Sequence, residues 1–192
     1  MSKRILLAAL LGGIGLFFWG FLSHVILRLG EVGIQNLPQD EAVMASMKAA
    51  IPRPGFYFFP PEDPAGNMPA NKVGGPYGIL IYHPSGASAM MTSQLANEFI
   101  LNVFQAFIAA FLLSLASGVT RYLSRVGFVA LVGLLAGMGI SIEYSNWYGF
   151  PANYTAATIA DKLIGFLIVG LVAAAFVKSV PGGIQAASAK AA

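Results

Sequence analysis

The sequence predicts an all-α integral membrane protein, with four transmembrane helices and a small external α+β insertion between helices 1 and 2. Three observations predict it. Four apolar stretches, residues 5–27, 99–117, 126–142 and 154–177, each approach the ~20 residues that cross a ~30 Å hydrocarbon core. Only 10% of the residues are charged and 57% are hydrophobic, whereas a soluble domain carries about 25% charged residues. Finally, Lys and Arg flank the stretches in an alternating way. The chain divides into residues 1–28 (N-terminal transmembrane helix), 29–96 (external, periplasmic insertion), 97–178 (three-helix transmembrane segment) and 179–192 (flexible cytoplasmic tail).

The first span follows Met1-Ser-Lys-Arg. Its apolar run exceeds the roughly 7–15 residues of a signal-peptide core, and no small-x-small cleavage site follows before Arg28, so it reads as an uncleaved anchor. In the insertion, Pro38-Gln-Asp40-Glu41 opens a short helix, because Pro suits a first turn and acids suit the positive helix end. Val43, Met44, Met47 and Ile51 then recur at helical spacing, and Pro52 and Pro54 stop the run. Gly55-Phe-Tyr-Phe-Phe59 and residues 77–82 read as strands. Residues 62–76 between them are rich in Pro, Gly and Asn and read as a loop. Two strands alone are marginal in water, so they need the short helix or the mouth of the bundle as a floor. Residues 87–95 extend the second span outward as a helix.

Orientation follows from the basic flanks, which favour the cytoplasm. Lys3 and Arg4 precede the first span, Arg121 and Arg125 lie between the second and third, and Lys178 and Lys190 follow the fourth. An even number of spans puts all three regions on one side, so both termini are cytoplasmic, with a bacterial inner membrane as the expected setting. All eight acidic residues (Glu31, Asp40, Glu41, Glu62, Asp63, Glu98, Glu143 and Asp161) lie on or near the other side. Residues 143–153, read as the connection between the third and fourth spans, contain no Lys or Arg. Their Trp147 and Tyr148, with Tyr154, suit the external membrane interface.

Inside the spans, Gln94, Glu98, Asn102 and Gln105 recur every three or four residues, which places them on one face of the second helix. Glu143, Asp161 and Lys162 fall at a similar depth. Polar side chains in a span usually face the bundle and pair. The expected cluster is therefore a hydrogen-bonded plug in which Lys162 pairs with Glu98 or Glu143. An ion path is less well supported, since no ionisable ladder continues through the cytoplasmic halves. Gly133 and Gly137 form a small-xxx-small pair suited to close helix packing. His24 is the one imidazole near membrane depth, and it is the only ligand through which haem or chlorophyll would be held.

Cysteine is absent, which excludes disulfides, thiolate metal sites and cysteine nucleophiles. No metal-ligand spacing, phosphate loop or nucleophile elbow occurs. The net charge of +3 is scattered and calls for no nucleic acid. No enzymatic activity, cofactor or metal is expected. The expected function is that of a non-enzymatic accessory, scaffold or assembly subunit of a larger membrane complex. Its partners would be the lipid bilayer and other membrane proteins, or further copies of itself. The alternative is a small transporter or a ligand- or lipid-binding protein that uses an external-leaflet polar pocket. A reporter fused after Ala192 is expected to read as cytoplasmic and one inserted at Asn67 as external; an external C-terminal reporter would overturn the four-span topology.

Overall fold

The computed structural model describes residues 3–61, 65–67, 70–86 and 92–178. The loop residues 62–64 and 68–69, the helical extension expected at 87–91 and the tail 179–192 lie outside the described residues.

Helix α1 (Lys3–Phe21) continues into a π-helical turn, Leu22–Ile26, closed by the Leu27 N–H donating to Leu22 O at 2.9 Å. A 3₁₀ turn, Leu29–Glu31, follows. In the insertion, α2 (Asp40–Ala50) carries Asp40 and Glu41 in its first turn and ends where Ile51 turns extended ahead of Pro52, the backbone that a following proline imposes. Strands β1 (Gly55–Phe59) and β2 (Gly78–Tyr82) pair antiparallel, with Phe56 opposite Ile81 and Phe58 opposite Ile79. Ala70–Lys72 adds a second 3₁₀ turn. Three long helices complete the chain: α3 (Thr92–Leu115), α4 (Tyr122–Tyr148) and α5 (Ala152–Phe176). Together with Lys3–Ile26, they make four helices long and apolar enough to cross a membrane.

Two boundaries differ from the sequence expectation. The region 143–153 is not a loop: α4 runs six residues past Ile142, and only Gly149–Pro151 links it to α5. The apolar count ends at Ile142, but the helix stops where a residue can adopt the left-handed conformation. Gly149, at φ +71°, does so, and it donates to Ser145 O at 3.2 Å while Phe150 donates to Tyr144 O at 3.4 Å, a glycine-terminated helix end. The second long helix likewise begins at Thr92, before the apolar stretch does.

The long helices run antiparallel to their neighbours. Going up α1, Gly12 faces Val169, Leu16 faces Gly165 and Trp19 reaches Asp161, so α5 descends as α1 rises. Gly13 faces Val103 and Gly12 faces Ala106, which sets α3 antiparallel to α1 as well. On the neighbouring face of α5, Gly133 and Gly137 of α4 lie against Phe166, Lys162 and Ile159, and Gly170 of α5 lies against Val126 and Val129. Helix α5 thus packs along both α1 and α4, whereas α3 and α4 meet little. The ends of α1 and α3–α4–α5 nearest Lys3, the 116–121 connection and Lys178 form one end of the molecule, here the terminal end. The insertion and the Gly149–Pro151 link form the other.

The core is built of small residues. Ala8, Ala106, Ala109, Ala110 and Ala173 are completely buried, and the largest side chains so buried are only Leu113, Val129, Val169 and Ser23. Apolar side chains outside an apolar solvent gain little by leaving it, so helices in lipid associate by close packing rather than by hydrophobic burial. The outer faces carry the bulk, among them Leu123, Leu131, Leu135, Ile100 and Phe104, all more than half exposed. Within the most apolar window of each long helix only 28–33% of residues are buried.

At the terminal end a clamp of hydrogen bonds ties three segments. Arg125 Nη1 donates to Val119 O at 3.1 Å and Nη2 to Val177 O at 2.6 Å, and the Tyr122 hydroxyl donates to Leu171 O at 3.0 Å. The glycine contacts lead to a contrast that can be measured. A Cβ on Gly13 would lie 2.5 Å from Val103 Cα and 2.8 Å from its nitrogen, which are backbone atoms that cannot turn aside. Gly13→Val should therefore cost about 1–3 kcal/mol, read as a fall in the thermal unfolding midpoint in detergent. Gly139→Ala, where nothing lies within 4 Å, should leave the midpoint unchanged or raise it, because glycine is a poor helix former by about 0.5–1 kcal/mol.

Candidate functional site

The insertion end is built on a run of aromatic rings. Helical spacing brings Tyr144 and Tyr148 to one face of the last turns of α4, with centroids 5.5 Å apart. The Gly149–Pro151 link then folds Phe150 back against Tyr144 at 5.4 Å, and Tyr154 of α5 meets Phe150 at 5.5 Å. On the other side Tyr148 meets Phe58 of β1 at 5.6 Å, and Phe58 meets Phe56 at 5.5 Å. Six rings in continuous contact therefore join the hairpin to α4 and α5. Aromatic pairs at such separations add about 0.5–1.5 kcal/mol each beyond area burial, so the mouth of the helices is the floor that the two strands need. The Tyr77 hydroxyl also stands near Gly149, where a Cβ would approach it to 3.3 Å.

A cleft of about 110 Å³ opens between hairpin and helix, lined by Phe58, Phe59, Pro60, Tyr77, Ile79, Trp147 and Tyr148, with Gly78 between the strands' edge and the rings. Its rim is apolar and open: Trp147 is 76% exposed and Tyr77 67%. At the free end of the same strand face, Phe56 and its cross-strand partner Ile81 are 54% and 69% exposed. Helix α2 has no buried residue and at most scattered contact with any other element.

The polar residues singled out from the sequence do not converge. Gln94 and Glu98 lie exposed on the first turns of α3, Gln105 is half-buried, and Asn102 alone is buried, on the face shared with Ala106 and Ala109. Glu143 is exposed on α4. The expected pairing of Lys162 is not made: no carboxylate of a described residue lies within 4.0 Å of its ammonium. Its stem instead rests on Gly137, whose added Cβ would sit 3.2 Å from Lys162 Cβ. Helical geometry explains the failure. Position 162 faces α4 near Gly133 and Gly137, at least one full turn below Glu143, and α3 packs on α1 rather than here. Asp161 faces α1. Its main-chain oxygen accepts from Trp19 Nε1 at 3.1 Å, a contact that Gly165 makes room for, and its Oδ1 is buried without a partner.

His24 sits in the π-helical turn. Its Nδ1 lies 2.8 Å from Ser23 Oγ and 3.2 Å from Gly20 O, and the opposite ring edge packs over Gly30. Local contacts thus fix the ring. Among the described residues no group of three His, Asp or Glu side chains comes together to hold a metal ion. The sequence reading missed the ring contacts across the insertion and the clamp at Arg125. The first was signalled by aromatics at both 56–59 and 144–154, and the second by an arginine set directly against an apolar run.

Comparison with protein families, with curated proteins and with solved structures finds no match. The unpaired placement of Lys162 has a testable consequence. Lys162→Met removes a charge that holds no carboxylate, so the unfolding midpoint in detergent should stay level or rise. A drop equivalent to the ~3 kcal/mol or more expected on breaking a buried pair would reveal a carboxylate partner.

Proposed function

We propose that the chain is a non-enzymatic, multi-pass integral membrane protein that serves as an accessory or assembly subunit of a larger membrane complex, and that its insertion is the face offered to the partner. The four long apolar helices support the membrane setting, since most of their bulky side chains point outward and need an apolar surrounding. The basic flanks favour a cytoplasmic terminal end and an external insertion, in a bacterial inner membrane.

One observation carries the role. The insertion stands outside the four spans, yet it leaves Phe56, Phe59, Tyr77, Ile81 and Trp147 between 43% and 76% exposed and one helix without a packed face. Contiguous apolar surface of this kind in an aqueous compartment marks an interaction site. An unpaired strand edge beside it adds main-chain donors and acceptors that another chain can use. The apolar rim suits a second membrane protein whose own external part lies at the same height.

Purification of a tagged chain in mild detergent tests this. A partner protein should co-elute in fixed ratio, and Phe56→Asp combined with Ile81→Asp should release it. The bundle's unfolding midpoint should move by no more than the equivalent of ~0.5 kcal/mol, as for surface substitutions generally. Elution of the wild type with nothing bound, at the size of a single chain, would defeat the proposal; elution as a multiple of the chain would make the partner a second copy.

A further inference from the structure

Arg125 is the least explained charge in the molecule. It stands in the first turn of α4, yet it is only 3% exposed. Both of its recorded hydrogen bonds go to neutral main-chain oxygens, those of Val119 and Val177. No carboxylate of a described residue lies within 4.0 Å of it. None is close along the helices either. The nearest acids on α4 and α5 are Glu143 and Asp161, and at 1.5 Å of rise per residue they stand roughly 24 Å or more away. A guanidinium withdrawn from water without an opposite charge is costly unless something supplies one.

The site opens in the right direction to receive it. A cavity of about 300 Å³ is lined by Thr120, Tyr122, Arg125, Ala174, Val177 and Lys178. Lys178 is exposed on its rim and adds a second cation, and Thr120 adds a hydroxyl. Tyr122, tied to Leu171 O, holds the wall. We propose that this cavity binds a phosphate group. The arginine is fixed by its two carbonyl bonds and presents its remaining N–H edge as a planar fork, the geometry that matches phosphate oxygens. Lys178 closes from the rim as a point charge. The cavity lies where the apolar helices end, the depth at which head-group phosphates sit, and basic pockets between helices recognise anionic lipids there. The lipid source rests on the multi-pass reading; a small phosphorylated solute does not.

The full-length chain, purified in neutral detergent, is heated with phosphatidylglycerol, with phosphatidylcholine, or with inorganic phosphate against chloride at equal ionic strength. Phosphatidylglycerol should raise the unfolding midpoint more than phosphatidylcholine does. Lys178→Gln should weaken that apparent affinity about fivefold, the effect of losing one cation worth ~1 kcal/mol, without moving the lipid-free midpoint. Lys3→Gln, at the same end but outside the cavity, should change nothing. A rise with inorganic phosphate alone assigns a soluble phosphoryl ligand, and a rise with the anionic lipid alone assigns a head group. Equal shifts with both lipids and none with phosphate would overturn the proposal, as would equal losses in Lys178→Gln and Lys3→Gln. Carbonate extraction of the producing membranes tests the spanning reading separately, because release there leaves the inorganic phosphate result untouched.

Discussion

Close approach to α5 is the constraint on which the rest of this structure depends. Helices in lipid have no water to expel from between them, so contact must come from backbones meeting nearly directly. Gly165 admits Leu16 and Trp19 of α1, and Gly133 and Gly137 admit Phe166 and Ile159 from the other side. The same closeness lets the Trp19 indole reach a main-chain oxygen of α5. It also leaves Lys162 lying along a glycine, with no space for a carboxylate to join it. The buried polar atoms and the buried alanines are two results of one short interhelical distance.

The two ends of the bundle solve different problems. At the insertion end, rings stacked from β1 through α4 to α5 give a two-stranded hairpin the support it lacks alone. The leftover aromatic surface is what the proposed partner would cover. At the terminal end, basic groups replace aromatic ones, and Arg125 joins the 116–121 connection to the last turn of α5. Apolar rings at one boundary and cations at the other give the molecule a chemical polarity along its helix axes. That polarity is consistent with a fixed orientation between two unlike aqueous compartments.

Much of the fold is legible in the residues, because length and hydropathy decide whether a segment can span, and turn chemistry decides where a hairpin closes. The strand Gly55–Phe59, the proline stop after Ala50 and the four long helices all follow from such local rules. The length of α4 does not. A count of apolar residues ends at Ile142, whereas the helix obeys its hydrogen bonds and continues to the glycine cap. The polar stripe of α3 failed for another reason. Spacing correctly groups Asn102 with its neighbours on one face, but it carries no information on which helix that face meets. Since α3 lies on α1, residues that share a depth, such as Glu98 and Lys162, need not share a site. The same gap hid Arg125, whose acceptors lie 6 and 52 positions along the chain.

The three-residue link between α4 and α5 bears on how the molecule assembles. Neighbouring helices joined so tightly pair quickly, because little chain entropy is lost in bringing them together. The contacts of α1 with α3 span the whole insertion and close more slowly by the same measure. Yet α1 and α4 both rest on α5, the last of the four helices to leave the ribosome. Until it emerges, Gly12, Leu16 and Trp19 have no surface to settle on, and the earlier helices must wait in the membrane with their small-residue faces uncovered.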